Sequence, residues 1–281
     1  MRLRIGGRSR RWLRWLTYQK SLVRVARALR VNLLFRDLYC RAVSPADHII
    51  RITFEGVQAS FQVHSPLELR IIEAPLEKGM GEYFVLKRIF HEIGPGDVVY
   101  DVGASLGTHS ILMAKKVGDS GRVVAFEPEE MSYCKLLANV KLNHLNNIRA
   151  YKFALGDRAE QKRIYGYGGG FGSFNLMGYG HILGARIVKI LRGDDLVVRE
   201  GLPAPGFVKI DVEGYEYQVI VGLERTLKNP SCRSVFCEIH PKILPKGVGL
   251  DDVFALLRSY GYEIMENNPR GETIHGFFQR A

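Results

Sequence analysis

The chain has 281 residues, of which 46% are hydrophobic, and carries a formal net charge of +11. That length admits one large domain, or one domain with an appendage, around a sizeable core. The four cysteines (Cys40, Cys134, Cys232 and Cys237) form no C-x-x-C pair and show no metal-ligand spacing, which argues against a disulfide scaffold or a zinc module and for buried thiols in a reducing compartment.

The excess of positive charge lies before residue 52, where twelve arginines and Lys20 face only Asp37 and Asp47. Residues 1–10 read as disordered and residues 11–38 as helical, with Leu22, Val25, Ala26, Leu29 and Leu33 on one face. No apolar run there reaches the roughly 20 residues of a membrane span, and Arg24, Arg27 and Arg30 interrupt any signal-peptide centre. Three readings stay open for this helix: it packs on the domain through its apolar stripe, it touches an anionic membrane through residues 8–38, or, least expected, it binds nucleic acid. The corresponding location is cytoplasmic, with peripheral attachment at the inner membrane surface as a variant.

Over 48–72 the rhythm changes to alternation: Ile50, Ile52 and Phe54, then Val57, Ala59, Phe61 and Val63, about Glu55 and Gly56. This predicts a β-hairpin. A helix over 82–92 follows and stops at Gly94, Pro95 and Gly96. The expected organisation is a basic helical extension over 1–47, a hairpin-and-helix subdomain over 48–94 and a main domain over 95–281.

From Asp97 onward strands and helices alternate, which favours a mostly parallel, doubly wound α/β sheet. Strands are expected at 98–102, 122–127, 148–153, 160–165, 207–212 and 234–239, with two closing strands at 262–266 and 273–279. Helices are expected at 107–117, 129–143, 215–228 and 250–260. Residues 166–180 interleave glycines with tyrosines and phenylalanines, too Gly-rich for regular structure; they read as a substrate-facing lid or as a plain surface loop.

The stretch DVGASLG (101–107) ends the first strand of that sheet and opens a helix. Its glycines, Gly103 and Gly107, match neither G-x-G-x-x-G nor a Walker lysine loop. An acidic residue ahead of the turn suits a ligand with positive charge near the loop, such as S-adenosylmethionine (SAM). Glu127, about 20 residues on, ends the next strand where a nucleotide-binding unit places its ribose-binding carboxylate.

The ordered set DVGASLG (101–107), AFEP (125–128), ALGD (154–157), GSF (172–174), DDL (194–196), KIDVEGYE (209–216) and EIH (238–240) resembles the FkbM-type SAM-dependent methyltransferases. The resemblance spans about 95–240. It implies a class I methyltransferase fold, with seven strands of which the last is antiparallel, and O-methyl transfer to a sugar, glycan or secondary-metabolite hydroxyl. It also implies that Asp101, Gly103, Ala104 and Gly107 hold the methionine part of SAM, that Glu127 and Pro128 flank the ribose, that Asp157 meets the adenine amino group, and that Asp211 stands beside the transferred methyl. Two departures stand out: Ser105 and Leu106 replace the more common Asn-Ile, and GSF replaces a Ser-richer stretch.

An alcohol is a poor nucleophile until its proton is leaving, so an oxygen acceptor benefits from a nearby base. Lys209, Asp211 and Glu213 at a period of two, with Glu238 and His240 on the next strand, bring ionisable groups to the carboxyl end of the sheet. By its ordinary pKa His240 is the most attractive base. The bland account of Lys209 is an ion pair with Asp211 or Glu238. No local motif supports a metal. The absence of an Asn/Asp-Pro-Pro-aromatic motif and of a Pro-Cys strand end weighs against nitrogen and nucleobase-carbon acceptors. The rival reading, of a different class, is a non-catalytic SAM-fold protein recruited to anionic membrane or RNA by its arginines.

Overall fold

The computed structural model describes residues 48–76, 81–167, 174–175 and 182–281. The basic extension, with its membrane and nucleic-acid readings, lies outside them. Among the described residues no helix is long and apolar enough to cross a membrane.

Strands β1 (Ile49–Phe54) and β2 (Val57–Gln62) form the expected antiparallel hairpin, with Phe54 paired to Val57 at the tip. The alternation does not continue to residue 72. Ser65 caps a helix, α1 (Pro66–Glu73), by accepting from the Glu68 N–H, and Pro66 occupies its first turn. Helix α2 (Gly81–Glu92) follows. Phe54, Phe61, Leu69, Ile72, Leu86 and Phe90 share one apolar cluster with Ile111 and Leu112 of the main body, so the hairpin and its two helices are packed on that body.

The main sheet has seven strands: β3 (Val98–Val102), β4 (Arg122–Phe126), β5 (Ile148–Tyr151), β10 (Phe207–Ile210), β11 (Ser234–Ile239), β12 (Tyr262–Arg270) and β13 (Thr273–Arg280). Their spatial order is β12-β13-β11-β10-β3-β4-β5. Strands β5, β4, β3, β10 and β11 run parallel, while β13 is antiparallel to both β11 and β12. This is the expected class I arrangement. Helices α3 (Thr108–Val117) and α4 (Glu130–Leu142) follow β3 and β4. Val98 to Val102 read as an unbroken apolar run around Asp101 because helices and loops cover both faces. Tyr100 and Val102 enter one core cluster and Val99 the opposite one.

A second sheet was not expected. Strands β6 (Ala154–Gly156), β7 (Glu160–Tyr167), β8 (Phe174–Asn175) and β9 (Ile182–Arg192) form it in the order β6-β9-β7-β8. Strand pairing thus reaches into the Gly-rich stretch, where Gly166 pairs with Phe174. The remainder of that stretch, and the lid reading with it, falls outside the described residues.

Helix α5 (Gly193–Glu200) was also missed. The helix expected over 215–228 is two: α6 (Glu216–Gly222) and α7 (Glu224–Lys228), which meet at Leu223. The motif residue Asp194 explains the break. Buried at the start of α5, it accepts from the N–H groups of Arg225 (2.8 Å) and Thr226 (2.9 Å) and from the Thr226 hydroxyl (2.7 Å), and so caps α7 through space. Helix α8 (Leu250–Ser259) leads into the closing hairpin.

Candidate active site

The chain turns back between β3 and β10, neighbours in space whose connections run to opposite sides; in an open α/β sheet the ligand crevice lies there, at the carboxyl ends. Gly103 and Asp211 are the residues that leave those strands. Gly103 has φ +89°, and a Cβ added to it would stand 1.8 Å from the Asp211 carbonyl oxygen, so only glycine lets the two strand ends close on each other. The loop is tied to β4 as well, since the N–H groups of Gly103 and Ala104 both donate to the Phe126 carbonyl at 3.0 Å. Gly107 (φ +83°) begins α3 without a side-chain cap and leaves no room for a Cβ against Leu136.

Two cavities open on this crevice. One is walled by Phe126, Phe153, Leu155, Ile164 and Tyr215, with Glu127 and Pro128 at its polar edge. The other, of about 420 Å³, lies between α1, α2 and the sheet and carries Glu82, Lys209, Glu238 and Arg270 with Ala104 and His109. They share Gly103, Ser105, Asp211 and Glu213.

Glu127 is buried, and its two oxygens accept from the N–H groups of Ser105 and Glu129, each at 2.8 Å. Burial pushes its carboxyl up to about 8, against the Ser105 hydrogen bond. Lys209 and Asp101 are both fully buried, and Lys209 Nζ lies 3.1 Å from Asp101 Oδ1 and 3.5 Å from Asp211 Oδ2. Burial alone would lower the Lys209 ammonium; Asp101 and Asp211 outweigh it and hold it charged, well above the ordinary range. Asp101 also accepts from Ser110 Oγ at 2.5 Å. Its carboxylate therefore sits beneath the glycine turn and lines neither cavity.

Asp211 is 29% exposed at the junction, and burial pushes it up to about 6 although Lys209 pulls the other way. Glu213, in a left-handed conformation (φ +53°), is pushed up to about 7 by burial, against His240. Glu238 faces His275 at 3.4 Å; burial alone would raise it, but His275 and His240 hold it below the ordinary carboxylate range.

His240 lies outside both cavities, held between two carboxylates. Its Nδ1 lies 2.6 Å from Glu216 Oε1 and its Nε2 3.4 Å from Glu213 Oε2. Burial would lower its pKa, but the hydrogen bond and charge of Glu216, with Glu213 and Asp211 behind it, push it up to about 10. Glu216 and Glu213 favour the imidazolium, which has no lone pair to offer, and the residue lines neither cavity. Asp157 lines neither cavity too. It stands beside Arg158 at 3.5 Å and keeps one buried oxygen, Oδ1, without a hydrogen-bond partner. Among the described residues no cluster of three or more His, Cys, Asp or Glu is placed to hold a metal.

Sequence reasoning did not single out Arg70, Glu82, His109 or Arg270, although all four line the larger cavity. His109 carried a usable signal, since it lies in the first turn of the helix that the glycine turn opens. Arg70, in a stretch read as strand, carried none.

Residues 101–264 match the model of the methyltransferase FkbM domain. The chain belongs to this family. The hexuronic acid methyltransferase AglP of Haloferax volcanii is 30% identical over 206 residues, covering 69% of this chain and 75% of that protein. The 31-O-demethyl-FK506 methyltransferase FkbM of Streptomyces tacrolimicus is 30% identical over 216 residues, covering 66% of this chain and 80% of its own. A SAM-dependent methyltransferase from Aquifex aeolicus superposes with a TM-score of 0.42 at 14% identity, over 77% of this chain and 98% of that one. The protein is a SAM-dependent methyltransferase, and the site fits that donor. Ser105 Oγ, between the cavities, and Thr108 Oγ1, beside the larger one, are buried without partners, as a polar ligand would leave them. The smaller cavity joins apolar and aromatic walls, suited to a planar base, to a buried carboxylate suited to a diol.

Proposed function

We propose that this FkbM-family enzyme transfers the methyl group of SAM to a hydroxyl oxygen of a sugar or sugar-bearing secondary metabolite. The observation that carries the reading is the junction itself: an apolar cavity with a diol-binding carboxylate and a second, polar and acidic cavity meet at Gly103, Ser105, Asp211 and Glu213. A group at the edge of one is presented to the other. The names of the two relatives, one specifying a hexuronic acid and the other an O-demethyl compound, support an oxygen acceptor on a sugar or metabolite.

Bound SAM supplies a methyl group already activated on a sulfonium. The protein has then to align the acceptor and receive its proton. Alignment contributes up to about 7–11 kcal/mol in well-oriented reactions, and a general base about 10²–10⁴-fold. Gly103 and Gly107 bring backbone up to the donor, with Ala104 in the loop between them. Glu127, its two N–H bonds leaving lone pairs free, takes the ribose hydroxyls beside Pro128. Asp157, expected to meet the adenine amino group, lies outside both cavities and would have to move to do so.

On the other side Asp211 accepts the hydrogen bond of the attacking hydroxyl and, as the new O–C bond forms and the S–C bond breaks, its proton. A carboxyl raised to about 6 is ionised at neutral pH yet more basic than an exposed aspartate. Lys209 stays charged and fixes Asp211 in place. Glu238, held ionised by His275, accepts from further acceptor hydroxyls. His240 is a positioning residue that grips the Glu213 turn. In this reading residues 95–281 form the donor-binding domain and 48–94 a subdomain that walls the acceptor cavity.

The test is isothermal titration of SAM and S-adenosylhomocysteine, followed by labelled-methyl transfer to a panel of neutral and acidic sugars. Asp211→Asn is expected to keep donor binding and to lose about 10²–10⁴-fold in rate. A protein that binds neither nucleoside, or whose Asp211→Asn variant transfers methyl at the wild-type rate, sinks the assignment.

A further inference from the structure

The outer edge of β2 is covered by a helix instead of a third strand. The Ser60 N–H donates to Asn143 Oδ1 at 2.9 Å and the Gln62 N–H to Asn139 Oδ1 at 2.8 Å, while Asn143 Nδ2 donates back to the Ser60 carbonyl at 2.6 Å. Two residues of strand advance about 6.8 Å and four of helix about 6 Å, so alternate strand residues meet helix residues four apart. The pattern takes a third step: the His64 N–H donates to Glu68 Oε2 at 2.6 Å, and Glu68 Oε1 lies 3.6 Å from Lys135 Nζ. Lys135, Asn139 and Asn143 thus form one stripe along α4 and its C-cap, and it satisfies an edge that would otherwise stay open.

Among the described residues, only the middle rung of this ladder goes on to the glycine turn. Asn139 Nδ2 donates to the Leu106 carbonyl at 3.0 Å, inside the stretch from Gly103 to Gly107. Asn139 is 1% exposed, and its partners fix the way its amide points: Gln62 offers an N–H and Leu106 a carbonyl. Before Leu106 stands Ser105, which lines both cavities. After it stands Gly107, which opens α3 and lies against Leu136 of the helix that carries Asn139. On the other side of Asn139, β2 leads through Ser65 into α1, whose Arg70 and Ile71 line the larger cavity. One buried amide therefore joins the turn to the hairpin.

We propose that Asn139 is a positioning residue for methyl transfer: it seats the donor turn against the hairpin that leads into the acceptor wall, so that order in one steadies the other. The inference rests on the methyltransferase reading, which makes that turn the donor's, and adds to it a helix residue that lines neither cavity. Linkage makes the coupling reciprocal. A donor that stiffens the turn holds the hairpin more firmly, and cutting the link to the hairpin loosens the grip on the donor.

The test compares two substitutions in the full chain, read as binding and not as turnover. Asn143→Ala breaks both bonds to Ser60 and leaves Leu106 alone, whereas Asn139→Ala breaks one bond to the hairpin and the one to Leu106. Titrated calorimetrically with S-adenosylhomocysteine, Asn139→Ala is expected to bind about tenfold more weakly, or by about 1.4 kcal/mol, and Asn143→Ala to stay within about twofold of the wild type. Urea denaturation of both variants reads the stability that each has lost. A merely structural role predicts that affinity follows stability; a positioning role predicts that it does not. Equal losses of affinity in the two variants, or wild-type affinity in Asn139→Ala, overturn the inference.

The wild type supplies a second measurement that depends on no variant's folding. In amide hydrogen exchange, saturating S-adenosylhomocysteine is expected to slow Gln62, whose N–H rests on Asn139, about threefold more than Ser60, whose N–H rests on Asn143. Equal effects at the two amides, or none at Gln62, overturn the inference as well. In each of these failures the donor still binds, and the methyltransferase reading stands. A wild type that binds no S-adenosylhomocysteine takes the donor away from the turn, and the reading falls together with the inference.

Discussion

Lys209 and Asp101 are register partners on adjacent parallel strands, and their charges meet at 3.1 Å in the centre of the sheet with essentially no solvent on either. A buried pair of this kind adds little net stability over an apolar pair, but losing one member strands the other charge, at a cost of about 3–5 kcal/mol. Lys209→Met is therefore expected to destabilise the fold by about that amount in urea denaturation. Adding Asp101→Asn should recover part of it, because the stranded carboxylate is gone. A single variant as stable as the wild type would show that Asp101 is protonated or hydrated instead of paired.

Gly103→Ala tests the close approach of the two strand ends. The new Cβ would fall 1.8 Å from the Asp211 carbonyl oxygen at φ +89°, so the strand ends must part. Backbone strain of this kind costs about 1–3 kcal/mol. Because the displaced atoms line both cavities, donor affinity should fall roughly tenfold or more by titration. Gly118→Ala, at a positive-φ position with open space around it, is the control for strain without the clash.

Glu127 makes donor binding pH-dependent. With its pKa pushed up to about 8, the free enzyme carries a mostly protonated Glu127 at pH 7. Hydrogen bonds from a ribose diol favour the ionised form, so binding releases a proton and affinity rises from pH 7 until it levels off above about 8. Calorimetry in two buffers of different ionisation enthalpy counts that proton directly. Glu127→Gln should bind more weakly and release none.

His240 makes the opposite contribution, to folding. Its pKa is higher in the folded chain, at about 10, than the unfolded value of 6.5, so its grip on Glu216 is fully present below pH 6.5 and fades as pH rises to about 10. The stability difference between wild type and His240→Gln should be largest near pH 6 and should shrink toward pH 10 in chemical denaturation. A difference that grows with pH would mean that the imidazole is neutral.

The glycine turn and the carboxylate at the end of β4 were legible because their signals are local. A strand, a turn with Gly103 and Gly107, and a helix occupy consecutive residues, and Glu127 ends the next strand by the same logic. The second sheet was hidden because β9 holds Arg186, Lys189 and Arg192 among apolar residues and follows a glycine-rich stretch that masks its pairing. Helix α1 was hidden because its start, Ser65 and Pro66, continues the polar-apolar alternation of the hairpin before it. The state of His240 could not be read at all: it depends on Glu216, 24 positions away, meeting it in space. Likewise Arg70 lines the larger cavity only because α1 packs with the hairpin and α3 in the fold.

The place of β13 in the sheet bears on biosynthesis. It follows β12 in sequence, yet it lies between β11 and β12, and the Arg280 N–H closes on the Arg233 carbonyl at 2.8 Å. Until residues 273–280 clear the ribosome, β11 is an open edge and the surface that receives Phe277 and Phe278 is bare. The sheet therefore stays adhesive until residues 273–280 insert, and its closure waits on a strand that must slide between two others.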